Sequence, residues 1–201
     1  QERTANGETF RYYYNADGSL PPVGISDVNG MSRYVYPDGH VAVGWATLED
    51  GVHYFDPQGQ QATGDTVIDG VFYPFSAEGV LPQGWYATAE ARYFYTAKGA
   101  VKGWFQDADG IWYAFDEATG KQLLGFQTRS GQQFHYDENG AAAVGWTDFG
   151  GIVRYFYPDG HLAEGWQTID AKLHYFLPVS GELATGLHVI DGVHYSFDAE
   201  G

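Results

Sequence analysis

The sequence predicts an all-β fold, a β-hairpin solenoid of about ten repeats of roughly 20 residues that fills 1–201 as a single array. Three observations predict it. A glycine followed by a bulky residue recurs at nearly constant spacing, Asp-Gly and Asn-Gly pairs precede aromatic runs, and rings alternate along those runs.

The glycine-bulky pair stands at Gly24, Gly44, Gly64, Gly84, Gly103, Gly125, Gly145, Gly165 and Gly186, in steps of 20, 20, 20, 19, 22, 20, 20 and 21 residues. The next residue is Trp at 45, 85, 104, 146 and 166, Phe at 126, Ile at 25 and Leu at 187; only Asp65 departs from the rule. Turn signals follow in "NGETFRYYY", "DGVHYF", "DGVFYPF", "DGIWYAF" and "DGVHYSF". Asp-Gly and Asn-Gly suit the left-handed backbone of a tight hairpin turn.

A second glycine closes the strand after each of these runs, as at Gly18, Gly59, Gly79, Gly99, Gly140, Gly160 and Gly201. Four residues before it stand Tyr14, Phe55, Phe75, Tyr95, Tyr136, Phe156 and Phe197, and six before it Tyr12, Tyr73, Tyr93, Phe134 and Tyr195. A spacing of two places both positions on one face of a strand. One such hairpin cannot hold itself together in water, so the rings are expected to pack against the neighbouring hairpins. Most aromatics are therefore expected to be core. At about 25 cal/mol per Å2, each buried ring contributes several kcal/mol at most.

Composition narrows the partners. Ten Lys and Arg against 26 Asp and Glu give a formal charge of −16, which disfavours nucleic acid, other polyanions and anionic bilayers. There is no cysteine, so neither disulfides nor thiolate metal sites are available. No stretch approaches the roughly 18 apolar residues of a membrane span. Seven histidines occur, but no His-x-His or His-Glu-x-x-His spacing, and His53, His174 and His194 share one repeat position. They are expected to be structural or surface residues, with neither metal nor cofactor. "DADG" at 107–110 is expected to be a turn, since its acids lie out of register for a calcium loop. Stacked hairpins offer no deep cleft for two facing carboxylates, and nothing marks an activated serine, so no catalysis is expected within the chain.

"GWQTIDAKLHYFLPVSGELATG" (165–186) resembles the cell-wall-binding, or glucan-binding, repeats of Gram-positive surface proteins. That family includes the glucan-binding repeats of glucosyltransferases, the receptor-binding repeats of large clostridial toxins and the choline-binding repeats of pneumococcal-type proteins. The likeness extends over nearly the whole chain. It implies a hairpin solenoid, an extracellular location at the bacterial surface or secreted, and non-catalytic binding to a glycan or cell-wall polymer. It also leaves room for a catalytic domain elsewhere in a longer parent protein, of which this chain is expected to be a fragment. Choline-type repeats are similar to Gly-Trp followed by Trp-Tyr-Tyr, whose rings cage a quaternary ammonium. Here Arg33, His53, Arg154, His174 and His194 hold the first place of the second motif, and only "IWYAF" keeps a tryptophan, Trp112. If a cage survives, Trp104 and Trp112 with a neighbouring tyrosine would form it.

"RYVYPDGHVAVGW" (33–45) and "RYFYPDGHLAEGW" (154–166) agree at ten of thirteen positions, six repeats apart. Their "YPDG" is a turn with Pro presetting φ, Asp favouring the third place and Gly closing it. What is peculiar to the pair is a shared trio, Tyr36, His40 and Trp45 against Tyr157, His161 and Trp166, which would form matched sites if whole superhelical turns separate them. Sugars present flat C–H faces and rings of hydroxyls, which suit aromatic platforms flanked by polar groups. The expected ligand-binding residues are Tyr36, His40, Trp45, Trp85, Trp104, Trp112, Trp146, Tyr157, His161 and Trp166, exposed between adjacent hairpins, with weak sites adding by avidity. A structural spacer or protein-binding adhesin stalk, its rings all core, is the alternative, and a choline-binding module a lesser one.

Overall fold

The Gly-Trp glycine starts each hairpin because the chain must turn there through a left-handed conformation. All nine of these glycines have φ between 64° and 100°, a region that L-residues with a side chain occupy at a cost. The period of about 20 residues is thus a backbone requirement repeated along the chain. The computed structural model describes residues 1–5 and 8–201; the Asn6–Gly7 turn signal lies outside them.

Two compact units emerge, one of residues 1–101 with 117–120, the other of 102–116 with 121–201. The first holds the antiparallel pairs β1 (Glu2–Ala5) with β2 (Glu8–Arg11), β3 (Gly24–Asp27) with β4 (Ser32–Val35), and β5 (Gly44–Leu48) with β6 (Gly51–Phe55). It continues with β7 (Gly64–Ile68) on β8 (Val71–Phe75), then β9 (Gly84–Ala87) on β10 (Arg92–Thr96), where the short β11 (Gly99–Ala100) adds a third strand. The second unit pairs β12 (Gly103–Gln106) with β13 (Trp112–Phe115), β14 (Gly125–Arg129) with β15 (Gln132–Tyr136), and β16 (Gly145–Asp148) with β17 (Val153–Phe156). It ends with β18 (Gly165–Ile169) on β19 (Lys172–Phe176) and β20 (Gly186–Ile190) on β21 (Val193–Phe197). No helix occurs among the described residues. The fold is the expected all-β hairpin solenoid.

The two-residue turns behave as the Asp-Gly signal predicts. Asp69–Gly70 (φ 50° and 81°) and Asp191–Gly192 (50° and 79°) are doubly left-handed, matching the twist of the strands they join. Asp170–Ala171 adopts the same turn without glycine, Ala171 sitting at φ 64°. The Asp50-Gly51 pair is shifted by one residue. Leu48 pairs with Gly51, so Glu49–Asp50 make the turn and Gly51 opens the next strand. Glycine is needed there for room, because a Cβ would come 2.7 Å from Val80 Cγ1.

Successive hairpins within a unit are joined by rings and by a regular backbone stitch. After each hairpin the chain reaches back to its predecessor: Val41 N–H donates to Arg11 O, Leu81 to Val52 O, Leu162 to Gln133 O and Leu183 to Val153 O, all at 2.8–2.9 Å. These bonds satisfy edge groups that an isolated hairpin would leave to water. The ring four residues before the closing glycine is the centre of each layer. Phe55, Tyr95, Tyr136 and Phe156 are at most 1% exposed, whereas Tyr14 and Phe197, in the first and last such layers, are only half-buried. The residue between the two inward rings, such as Tyr54, Phe94 or Tyr155, is half-buried on the opposite face.

Candidate functional site

The tryptophans of the Gly-Trp pair stand on the outer face of the first strand. Trp45, Trp85, Trp146 and Trp166 are 37–42% exposed. Each leans on its cross-strand partner, and three also reach the next hairpin. Trp45 lies 5.1 Å from Tyr54 and 4.8 Å from Tyr73; Trp166 lies 4.9 Å from both Tyr175 and Tyr195. Trp146 meets Tyr155 and His174, both at 5.1 Å. Trp85 meets Phe94 at 5.1 Å, and Arg92 lies 4.6 Å over its ring. These tryptophans therefore cement the stack with one face and present part of the ring to solvent.

The twin stretches build a different feature. Pro37 and Asp38 form a turn closed by Gly39 N–H on Tyr36 O at 2.8 Å, and Gly160 closes on Tyr157 O in the same way. The turn brings the following histidine back over the tyrosine. His40 stacks on Tyr36 at 4.3 Å and 19°, and His161 on Tyr157 at 4.3 Å and 22°. Each imidazole is held by the turn aspartate, His40 Nδ1 to Asp38 and His161 Nδ1 to Asp159, both at 2.5 Å. Burial works against ionisation of these two carboxyls, but the hydrogen bonds from the histidine ring and amide outweigh it and hold both below the ordinary aspartate value. The tryptophan of each trio is elsewhere. Among the described residues no ring contact joins Trp45 to Tyr36 or His40, nor Trp166 to Tyr157 or His161, so each trio separates into a Tyr–His stack and a stacking tryptophan.

Each Tyr–His stack walls a shallow hollow. In the first unit, Tyr36 and His40 face Phe10 and Arg11 of the preceding hairpin around about 220 Å3. In the second, Tyr157 and His161 face Gln132 and Gln133, with Glu164 and Gln167, around about 260 Å3. There Tyr157 Oη donates to Gln167 Oε1 at 2.5 Å, and Gln167 Nε2 to Glu164 O at 2.7 Å, which orients the amide. A third hollow of about 330 Å3, in the first unit, is lined by Tyr54, Asp56, Gln60, Gln61, Thr63 and Thr66. Gln60 follows its strand-closing glycine as His40 and His161 follow theirs. The three hollows open around the same closing-glycine position of the repeat, but the tyrosine of the third, Tyr54, stands two residues earlier than Tyr36 and Tyr157 do, and Asp56 holds their place. Aligning the chain on its closing glycines would have found Gln60; the glutamines of the preceding hairpin carry no sequence signal of their own.

A larger hollow of about 360 Å3 lies between consecutive hairpins of the second unit, walled by Trp146, Val153, Ile169, His174 and Leu183, with Lys172 and Glu200 at its rim. Those two pair at 3.1 Å. The predicted cage residues do meet, Trp104 lying 5.7 Å from Trp112, but the third ring is Phe134, 4.3 Å from Trp104, and not a tyrosine. The shared position of His53 and His174 is structural. His53 is fully buried, accepting from Gln61 Nε2 at 3.0 Å and donating through Nε2 to Asp50 at 2.8 Å. Its Nδ1 must then be the acceptor, which fixes the tautomer.

No protein-family model matches the chain. Over 176 residues, 84% of the chain, it is 35% identical to glucosyltransferase-S of Streptococcus downei. The chain belongs to the cell-wall-binding, or glucan-binding, repeat family. A second member of this kind, glucosyltransferase-S of Streptococcus mutans, is 26% identical over 94% of the chain. These repeats span only 12–15% of the length of the curated relatives they match. Among solved structures, choline binding protein F of Streptococcus pneumoniae with a peptidoglycan analogue superposes with a TM-score of 0.71. It is 22% identical, over 99% of this chain and 77% of that one. CbpJ of the same organism gives 0.66 at 23% identity, over 99% and 85%. At that identity the likeness establishes that the repeats share a fold.

Proposed function

We propose that the chain is a non-catalytic, extracellular repeat module that binds a glycan or cell-wall polysaccharide. The observation that carries this reading is the recurrence of one hollow at one place in the repeat, each time with a tyrosine ring and amide, imidazole, hydroxyl or carboxylate groups. A pyranose stacks its C–H face on such a ring while its hydroxyls meet the flanking groups. Each hollow is shallow, so one site is weak; an extended polymer engages several and binds by avidity. The curated relatives are glucosyltransferases, and one structural neighbour carries a peptidoglycan analogue. Both point to a polymeric saccharide. The −16 charge further favours a neutral polymer over an anionic one.

Co-sedimentation with insoluble α-glucan and with peptidoglycan, beside a glycan array, tests the proposal. Retention that soluble oligosaccharide reverses is expected. Exchanging Tyr54 and Tyr157 together for alanine is expected to weaken retention about tenfold or more, because avidity multiplies the loss at each site. A folded chain that is retained by no glycan would leave the spacer reading in its place.

A further inference from the structure

The twin stretches fold alike, but their hollows are walled differently. The backbone stitch fixes the correspondence: Val41 N–H donates to Arg11 O where Leu162 N–H donates to Gln133 O. Phe10 and Arg11 therefore hold the places of Gln132 and Gln133. Within the stretches Val43 stands at the place of Glu164, and just beyond them Ala46 stands at that of Gln167. Around the same Tyr–His stack, an apolar wall with one cation has been exchanged for amides and a carboxylate. The cation of the first hollow is engaged, Arg11 pairing with Glu2 at 2.9 Å and donating to Pro57 O. No Lys or Arg lines the second. Arg154, the arginine of that stretch, is turned to other partners: its Nε donates to Ser180 O at 2.7 Å, and its guanidinium lies 5.1 Å over Phe126 and over Phe149.

Donors on the walls of the second hollow are largely spent inside the protein. Tyr157 Oη donates to Gln167 Oε1 at 2.5 Å, and Gln167 Nε2 to Glu164 O at 2.7 Å. Gln133 Nε2 donates to Val179 O at 2.8 Å, and His161 Nδ1 is held by Asp159 at 2.5 Å. The loop that anchors Gln133 is itself strained, since Val179 sits at φ 71°, a region that β-branched residues avoid. What these bonds leave for a ligand is chiefly acceptors: Gln133 Oε1, the remaining lone pair of Tyr157 Oη, and the carboxylate of Glu164. That carboxylate is exposed and makes no hydrogen bond or ion pair among the described residues.

We propose that the second hollow selects a hexosamine with a free, protonated amino group, its ammonium on Glu164 and its pyranose face on Tyr157, and that the first hollow lacks this preference. The proposal rests on the glycan-binding reading and names the sugar class for one of its sites. An ammonium brings three donors and no acceptor to a wall of acceptors, where a sugar hydroxyl brings one donor. A charge-assisted bond to a carboxylate is roughly twice as strong as a neutral one. Acetylation of the amine removes the charge and two of the three donors. Glu164 is exposed, so water and salt screen the pair and the preference amounts to about fivefold.

The test is an NMR titration read on the ring protons of Tyr157 and His161 for the second hollow and of Tyr36 and His40 for the first. The ligands are a glucosamine disaccharide, its N-acetylated form and the corresponding glucose disaccharide, buffered below the pKa of the amine. Glu164→Gln removes the charge and keeps the shape. Asp191→Asn removes one charge from an exposed turn at φ 50°, which asparagine tolerates, and so controls for the general attraction of a cation to an acidic chain. In the wild type and in Asp191→Asn, the second hollow is expected to bind the glucosamine form about fivefold more tightly than either other form. In Glu164→Gln that preference is expected to vanish, and added salt is expected to weaken it in the wild type. Equal affinities in the wild type, an equal loss in Asp191→Asn, or the same preference at the first hollow overturns the proposal. If the neutral forms still bind without an amino preference, this proposal falls and the glycan reading stands. If no saccharide of any form shifts Tyr157, the glycan reading falls at this hollow as well.

Discussion

Replacing Gly145 by alanine isolates what the Gly-Trp glycine contributes. Its φ is 76° and a Cβ built there meets nothing within 4 Å. Crowding therefore adds no cost, and the whole effect is conformational. Holding an L-residue in the left-handed region costs about 1–2 kcal/mol. Alanine's stiffer unfolded chain returns about 0.4–1 kcal/mol of that. The expected net loss is about 0.5–1 kcal/mol, or a fall in Tm of about 1–4 °C for a chain of this size. Asparagine, which tolerates this region, should cost less than alanine, and β-branched valine more. Urea unfolding followed by tryptophan fluorescence measures the series, with the midpoint moving and the slope unchanged. Gly140→Ala is the contrasting control. Its φ is 81°, but its Cβ would fall 1.9 Å from Gln122 Nε2, an amide that donates to Asn139 O. That amide would have to move, adding about 1 kcal/mol for the lost bond. Stabilisation by Gly145→Ala, or equal effects of asparagine and valine, would refute the conformational account.

Three further outcomes follow from the same backbone and packing. Ala171 holds φ 64° in a turn where three other hairpins place glycine (Gly70, Gly131 and Gly192), so Ala171→Gly should raise stability by about 0.5–1 kcal/mol in the same urea assay. Phe156 is fully buried, and Phe156→Ala should cost about 3–5 kcal/mol, whereas the equivalent exchange at half-buried Phe197 should cost less than half of that. Burial pushes the phenol of Tyr136 up to about 12, and that of Tyr95 is raised by burial and by Tyr93. The folded chain thus keeps protons that the unfolded chain releases near pH 10. Stability should be intact below pH 10 and fall as the pH climbs towards 12. Phenolate absorbance should show one group of tyrosines ionising only on unfolding; their free titration in the folded chain would contradict it.

The architecture was legible because its determinants are periodic. A left-handed φ every 20 or so residues demands glycine, and the inward ring before each closing glycine demands bulk, so both are written at fixed spacing. The twin stretches were legible as a turn, and Tyr36 with His40 did come together because Pro37, Asp38 and Gly39 fold the chain back within five residues. Trp45 and Trp166 stand apart from those stacks because a strand-borne tryptophan faces the next hairpin, as the contact of Trp45 with Tyr73 shows. The polar walls drawn from the preceding hairpin, Gln132 and Gln133 for Tyr157, were not legible. Neither was Arg129 over Trp104. Such contacts join residues some 25 positions apart whose identities vary from repeat to repeat, so no period announces them.

This division has a consequence for recognition. The glycine φ values and the buried rings hold the backbone of every hairpin constant, which frees the residue after the closing glycine to change. It is Ser19, His40, Gln60, Val80, Ala100, Lys121, Ala141, His161 and Glu182 in turn. The hollows with polar walls described above stand at His40, Gln60 and His161, so three positions furnish polar contacts on a scaffold repeated about ten times. A scaffold this redundant tolerates divergence at one hollow without loss of fold, because each hairpin depends on its neighbours' rings and stitches and not on the groups that face solvent. On the proposed glycan-binding reading, exchange of single residues at this register position is expected to change ligand preference, and the number of positions that carry a suitable side chain to set the affinity for a polymer.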